Sequence, residues 1–211
     1  MQWDHGSIEV NGIGLHYLVA GEGPPVLLLH GLGASSVVWW ENIVPLSQHF
    51  QVYALDLPGH GDSEKPRHID YSPWAAPRLI QEFLGALGIQ RASLVGNSAG
   101  GLLAVTFARS FPEWLERLVL VDTAGLGREL PWFLRFASLP LLGELLERPN
   151  VRNTQNLLRS VLYNPRSVSD GLVTELMRVR NLPGAKQAVL QSLRKGVNLL
   201  GLRRHYLMLE G

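Results

Sequence analysis

The pentapeptide Gly96-Asn97-Ser98-Ala99-Gly100 stands between an apolar run, Ser93 to Gly96, and a small-residue stretch, Ala99 to Phe111, that Pro112 closes. A strand that turns at once into a helix leaves no room for a Cβ at the flanking positions, and it holds the central residue in a strained conformation. The hydroxyl of Ser98 then stands over a helix N-terminus, where free N–H groups and the dipole favour developing negative charge. A chance G-x-S-x-G in a chain of 22 glycines and a phosphate-binding turn are the competing readings; a dinucleotide turn is disfavoured because G-x-G-x-x-G is missing.

The surrounding sequence sets this turn in a recurring context. Ser7 to Val10 and Ile13 to Ala20 flank Asn11-Gly12, a hairpin signal. Val26 to Leu29 and Val52 to Leu55 are continuous apolar runs that read as strands covered on both faces. Trp40 to Leu46 reads as a short helix. A longer one is expected from an N-cap at Ser72-Pro73 to Leu87, with Pro77 delaying its start or kinking it. Leu118 to Val121 follows as the fourth parallel strand. The alternation predicts an α/β fold with a doubly wound, mostly parallel sheet. Right-handed crossovers then bring His30, Asp56, Ser98 and Asp122, each just past a strand, to one edge. After Gly125 the period is helical: Leu130 to Leu146, Asn150 to Leu162, Ser167 to Arg180, Ala185 to Lys195 and Leu199 to Leu209, with no strand run. The expected division is 1–124 for the core and 125–211 for a helical lobe over the strand edge.

Composition narrows the chemistry. There is no cysteine, so disulfides, zinc-thiolate sites and thiol catalysis are excluded. No apolar run reaches the roughly 20 residues of a membrane helix, and a signal peptide is not expected, because Met1 to His5 has no basic cluster followed by an apolar stretch. A cytoplasmic location is the expectation, and neither a metal nor a cofactor is expected. The net charge of +1 gives no reason to expect nucleic acid. It is unevenly spread: residues 1–124 carry a net −6, and residues 125–211 a net +7 from 13 Lys and Arg against 6 Asp and Glu. A solvated basic surface explains this, as does attraction of anionic substrates or an anionic membrane surface.

Two further motifs flank the serine. In His30-Gly31-Leu32-Gly33 the backbone can approach a ligand closely, and the N–H of Leu32 can join that of Ala99 to hold an oxyanion. His30 is expected to brace this loop. Asp56-Leu57-Pro58-Gly59-His60-Gly61-Asp62-Ser63 reads as a tight turn in which His60 is structural. These motifs, Trp40 and Gly96 to Gly101 occur in the order and spacing of the α/β-hydrolase superfamily, and the chain resembles its capped branch over its whole length. That resemblance implies Ser98 as nucleophile and a cap from about Gly125. Asn97 is similar to its counterpart in hydrolases that cleave carbon–carbon bonds of ring-fission products, although their oxyanion loop is longer. The serine sets the chain apart from haloalkane dehalogenases and epoxide hydrolases, which use an aspartate there.

The resemblance also implies a triad in the order Ser, acid, His, with the last two on strands beyond the cap. The chain closes at Leu209-Glu210-Gly211 without either strand, so a C-terminally truncated hydrolase with an open sheet edge is expected. That edge invites oligomers. Asp122 is a candidate alternative acid, and His205 is read as a surface histidine. The expected activity is ester hydrolysis through an acyl-enzyme on Ser98, with a small apolar acyl or diketone substrate against Gly31, Asn97, Trp132, Phe133 and Phe136. Carbon–carbon bond hydrolysis is the alternative enzyme reading. A non-catalytic binding protein, or an inactive fragment, is the alternative of another class.

Overall fold

The computed structural model describes residues 3–147, 150–161, 164, 168–203 and 206–207. Its centre is a six-stranded sheet in the order β1-β2-β4-β3-β5-β6. β1 (Asp4–Val10) and β2 (Ile13–Ala20) form the expected hairpin, and β2 pairs antiparallel with β4 (Gln51–Leu55). From there the sheet is parallel through β3 (Pro25–Leu29), β5 (Ala92–Asn97) and β6 (Leu115–Val121). Leu29 lies opposite both Leu55 and Gly96, and Asn97 opposite Val121. The four parallel strands therefore end level, and His30, Asp56, Ser98 and Asp122 do meet at one edge.

The sheet is covered on both faces. Leu27, Leu29, Leu55 and Leu94 pack with Ile80 and Phe83 of α2 (Ala76–Ala86) and with Ala104 and Phe107 of α3 (Ala99–Ser110). Val26, Leu28, Val52 and Ala54 face the other way, onto Trp39 and onto Ile43 of α1 (Trp40–Leu46). Alternate residues of one apolar run thus feed two cores, which is why no polar residue interrupts β3 or the buried part of β4. β6 is the outer strand, and Val119, Leu120 and Val121 are 48%, 37% and 42% exposed.

Beyond Gly125 the elements are α4 (Trp132–Ala137), α5 (Leu142–Leu146), α6 (Val151–Val161), α7 (Asp170–Arg180), α8 (Ala185–Gly196) and a small hairpin of β7 (Val197–Asn198) with β8 (Gly201–Leu202). Three expectations are corrected. The helix expected from Ser72 starts at Ala76, because the Ser72 hydroxyl donates to Asp70 and Ser72 opens a turn that closes on Ala75. Pro77 sits in its first turn, where it costs no hydrogen bond. The helix expected over Leu130 to Leu146 is two, separated at Pro140 and at Leu141, whose φ is +68°. The helix expected from Leu199 is instead the β7–β8 hairpin. The Asn198 side chain accepts the Leu200 N–H, Gly201 takes φ +106°, and the Leu202 N–H is spent on the Arg128 carbonyl. Turn chemistry overrides apolar periodicity here. Leu162, Ser167, His205 and Leu209 lie outside the described residues.

Candidate functional site

Ser98 has φ 53° and ψ −118°, a strained conformation for a residue with a side chain, and it is exposed. Its neighbours show why the turn takes this form. A Cβ on Gly96 would fall 2.4 Å from the Gly100 carbonyl oxygen, and one on Gly100 would fall 2.2 Å from that of Leu29. The start of α3 is thereby pressed against the ends of β3 and β5, and Ser98 is pushed outward. The far side is tied as well. The Ser98 N–H donates to Val121 O at 3.1 Å, the Asn97 side-chain amide donates to the same oxygen at 3.1 Å, and the Ala124 N–H donates to Ser98 O at 3.0 Å.

Gly31 approaches this turn from β3. Its α-carbon is so placed that a Cβ there would lie 3.3 Å from Ser98 Cβ and 3.4 Å from Asn97 Oδ1. Among the described residues, no acceptor takes the N–H of Leu32 or of Ala99. Two free backbone donors thus belong to the two loops that meet at Ser98.

His30 does brace this loop. Its Nε2 accepts the Leu57 N–H at 3.1 Å, which leaves Nδ1 as the protonated nitrogen donating to Gly31 O at 2.8 Å. Burial pushes its pKa down, against the pull of Asp56 and the Gly31 carbonyl, so the ring is neutral in its role. His60 stacks obliquely on it at 5.2 Å and is itself pushed down to about 3 by burial. Its Nδ1 lies 3.0 Å from Pro58 O.

Asp56 is the hub of the next loop. Its carboxylate accepts from Ser36 N at 2.6 Å and Asp62 N at 2.9 Å, and it lies 2.7 Å from His16 Nδ1. Burial acts to raise its pKa, but the bond from His16, the nearby His30 and the two amides outweigh this and hold the group below its ordinary value. His16, Asp56 and Asp62 offer ligand atoms within 4.8 Å of one another. Each is already engaged, because Asp62 pairs in two-pronged fashion with Arg178 of α7, and we read the group as a hydrogen-bond hub. Nothing local in the sequence marks His16 or Arg178 for this role: one is an ordinary strand position, the other a helix residue 116 positions from its partner.

The remaining candidates are dispersed. Asp122 follows β6 with φ 46° and is exposed, one residue from the Val121 carbonyl that anchors Ser98. Among the described residues, no histidine bonds to Asp122 or to Ser98. Over Leu32 and Ala124 lie Leu130, Leu134 and Ala137, packed with Leu102 and Leu193. Trp132 and Phe136 are on the outer side of α4, 69% and 43% exposed, with their rings against each other at 6.1 Å; Phe133 is half-buried beside Trp132.

Residues 24–163 match the model of the family described as alpha/beta hydrolase fold. An uncharacterized protein of Mycobacterium bovis is 41% identical over 137 residues, 65% of this chain and 40% of its own length. The 2-hydroxy-6-oxo-2,4-heptadienoate hydrolase of Pseudomonas putida is 34% identical over 186 residues, 87% of this chain and 63% of its own. The chain thus spans between two fifths and two thirds of these relatives. A meta-cleavage product hydrolase from Pseudomonas fluorescens superposes with a TM-score of 0.76 at 28% identity, covering 95% of this chain and 74% of that one.

Proposed function

This chain belongs to the α/β-hydrolase fold family, and on that footing we propose that it is part of a serine hydrolase in which Ser98 is the nucleophile. The observation that carries the reading is the exposed, strained Ser98 together with the unused N–H groups of Leu32 and Ala99 on the two loops that meet there. Ser98 Oγ attacks an ester carbonyl, and its proton passes to a base. The carbonyl oxygen becomes an oxyanion held by the two amides, and the alcohol leaves with the proton. Water then releases the acid from the acyl-enzyme. We place the base outside the described residues, since His30 and His60 are structural. The substrate lies between Gly31, Asn97 and the segment from Gly125, which acts as a cap; its small apolar character follows from Leu32, Leu130 and Leu134 above the turn. Removing one oxyanion donor costs about 3–4 kcal/mol of transition-state stabilisation where this has been measured.

A second reading has a specific support. The Pseudomonas putida relative is named as a hydrolase of 2-hydroxy-6-oxo-2,4-heptadienoate, and Asn97 Oδ1 lies beside Gly31, which also approaches Ser98. The same nucleophile and donors would serve carbon–carbon bond hydrolysis. Epoxide opening is disfavoured by the serine, although a soluble epoxide hydrolase of Corynebacterium is 31% identical.

The test is fluorophosphonate treatment of the chain and of Ser98→Ala, with the adduct located by peptide mass spectrometry, in the 211-residue chain and in any longer product of the same gene. An adduct on Ser98 in either form supports the reading. No adduct in either form, with the protein folded, overturns it in favour of a binding protein. Rates on p-nitrophenyl esters against a 2-hydroxy-6-oxodienoate separate the two enzyme readings.

A further inference from the structure

The helix α4 is apolar almost all round, yet it lies at the surface. Leu134 and Ala137 turn inward, to the cluster over the elbow. Trp132 and Phe136 are each two residues from Leu134, about 200° around the helix, and so face outward. A helix with two apolar faces is stable where something other than water meets the outer one.

Exposed apolar residues also occur on the elements that adjoin α4. Leu141 is 85% exposed and Leu145 of the adjoining α5 56%. At the tip of the β7–β8 hairpin, whose first strand lies against α4, Leu199 and Leu200 are 51% and 70% exposed. This surface belongs to the half of the chain with a net charge of +7. Arg203, next to β8, is exposed and has no acidic partner among the described residues, and the same holds for Arg152 and Arg159 of α6 in the same part of the chain. No helix of the described residues is long and apolar enough to cross a membrane, so burial of this surface would be at an interface and not through a bilayer.

We propose that the outer face of α4 and α5, with the tip of the β7–β8 hairpin, docks on an anionic phospholipid surface. The rings and leucines enter the boundary between headgroups and acyl chains, where aromatic side chains are at home, and the guanidinium groups meet the phosphates. The charge argues for lipid over a symmetric second copy, because a two-fold contact through this face would bring two halves of net +7 together. Docking is independent of the Ser98 chemistry, and neither requires the other.

The test is co-sedimentation of the full chain with phosphatidylcholine vesicles and with an equal mixture of phosphatidylcholine and phosphatidylglycerol. Binding is expected on the mixed vesicles, weaker by about tenfold or more on the neutral ones, and falling as salt is raised. The double variant Leu141→Glu/Leu200→Glu should lose about tenfold in partitioning. Both positions are largely exposed, so the fold should hold, and circular dichroism checks this. Equal binding to both vesicles, no binding, or binding unchanged in the double variant overturns the proposal. So does a concentration-dependent dimer that the same variant disperses without any vesicle binding. Fluorophosphonate labelling of Ser98 in the double variant is read alongside, so that a failure of docking and a failure of the hydrolase reading are told apart.

Discussion

Adding a methyl group at Gly100 sets a Cβ 2.2 Å from the Leu29 carbonyl oxygen, where neither backbone can give way cheaply. Gly100→Ala is expected to cost about 3 kcal/mol of stability, read as a shift in the urea midpoint. A second expectation concerns acid. The His60 pKa falls from 6.5 to about 3 on folding, so below pH 6.5 the unfolded chain takes a proton that the folded one refuses. Stability is therefore lost as pH falls between these values, by about 1.4 kcal/mol per unit for this residue. His60→Gln should flatten the acid limb by that slope in denaturation curves between about pH 6 and 4; an unchanged slope would refute the assignment. Asp56 acts lower: its pKa is depressed, so its contribution is present above its unfolded value and disappears only as pH falls through the lower folded one. At this scale the sequence was informative where the constraint is local. Gly96, Ser98 and Gly100 are legible because one turn contains the whole steric argument. The hub of His16, Asp56, Asp62 and Arg178 is not, since its members are gathered by tertiary packing alone.

Arg178 and Asp62 join α7 to the loop after β4, and they are the clearest charged link between the helical segment and the sheet. Both are well exposed, so water screens them; a double-mutant cycle should give a coupling of about 1 kcal/mol or less, decreasing with added salt. Elements are legible in the sequence where a single period runs uninterrupted, as in β3, β4 and α8. They depart from the apolar pattern where backbone punctuation competes with it. Leu199 to Leu209 has a helical apolar pattern, but Asn198 and Gly201 close a hairpin inside it. Leu130 to Leu146 has one too, but Pro140 divides it, and Ser72 is a sound N-cap type already spoken for by Asp70.

For the whole molecule, the two edges of the sheet differ in character. β1 turns away as a hairpin partner of β2, whereas β6 presents three exposed apolar residues on an edge. We expect association through this edge at high concentration, and Val119→Lys should suppress it in light scattering; association unaffected by that change would point elsewhere. The parallel order and the common strand edge could be anticipated from alternating apolar runs, because each run is a local signal. The packing of the segment from Gly125 across that edge could not, because its contacts with Leu32 and Ala124 lie far apart in sequence. The carbonyl of Val121, which receives both the Ser98 amide and the Asn97 side chain, carries one more implication. A contorted serine backbone held by the tip of its neighbouring strand cannot be set before that strand has docked. Elbow and edge should therefore mature as one late cooperative unit during folding, and the amides of Ser98 and Ala124 should exchange with deuterium together, at the rate at which β6 peels away.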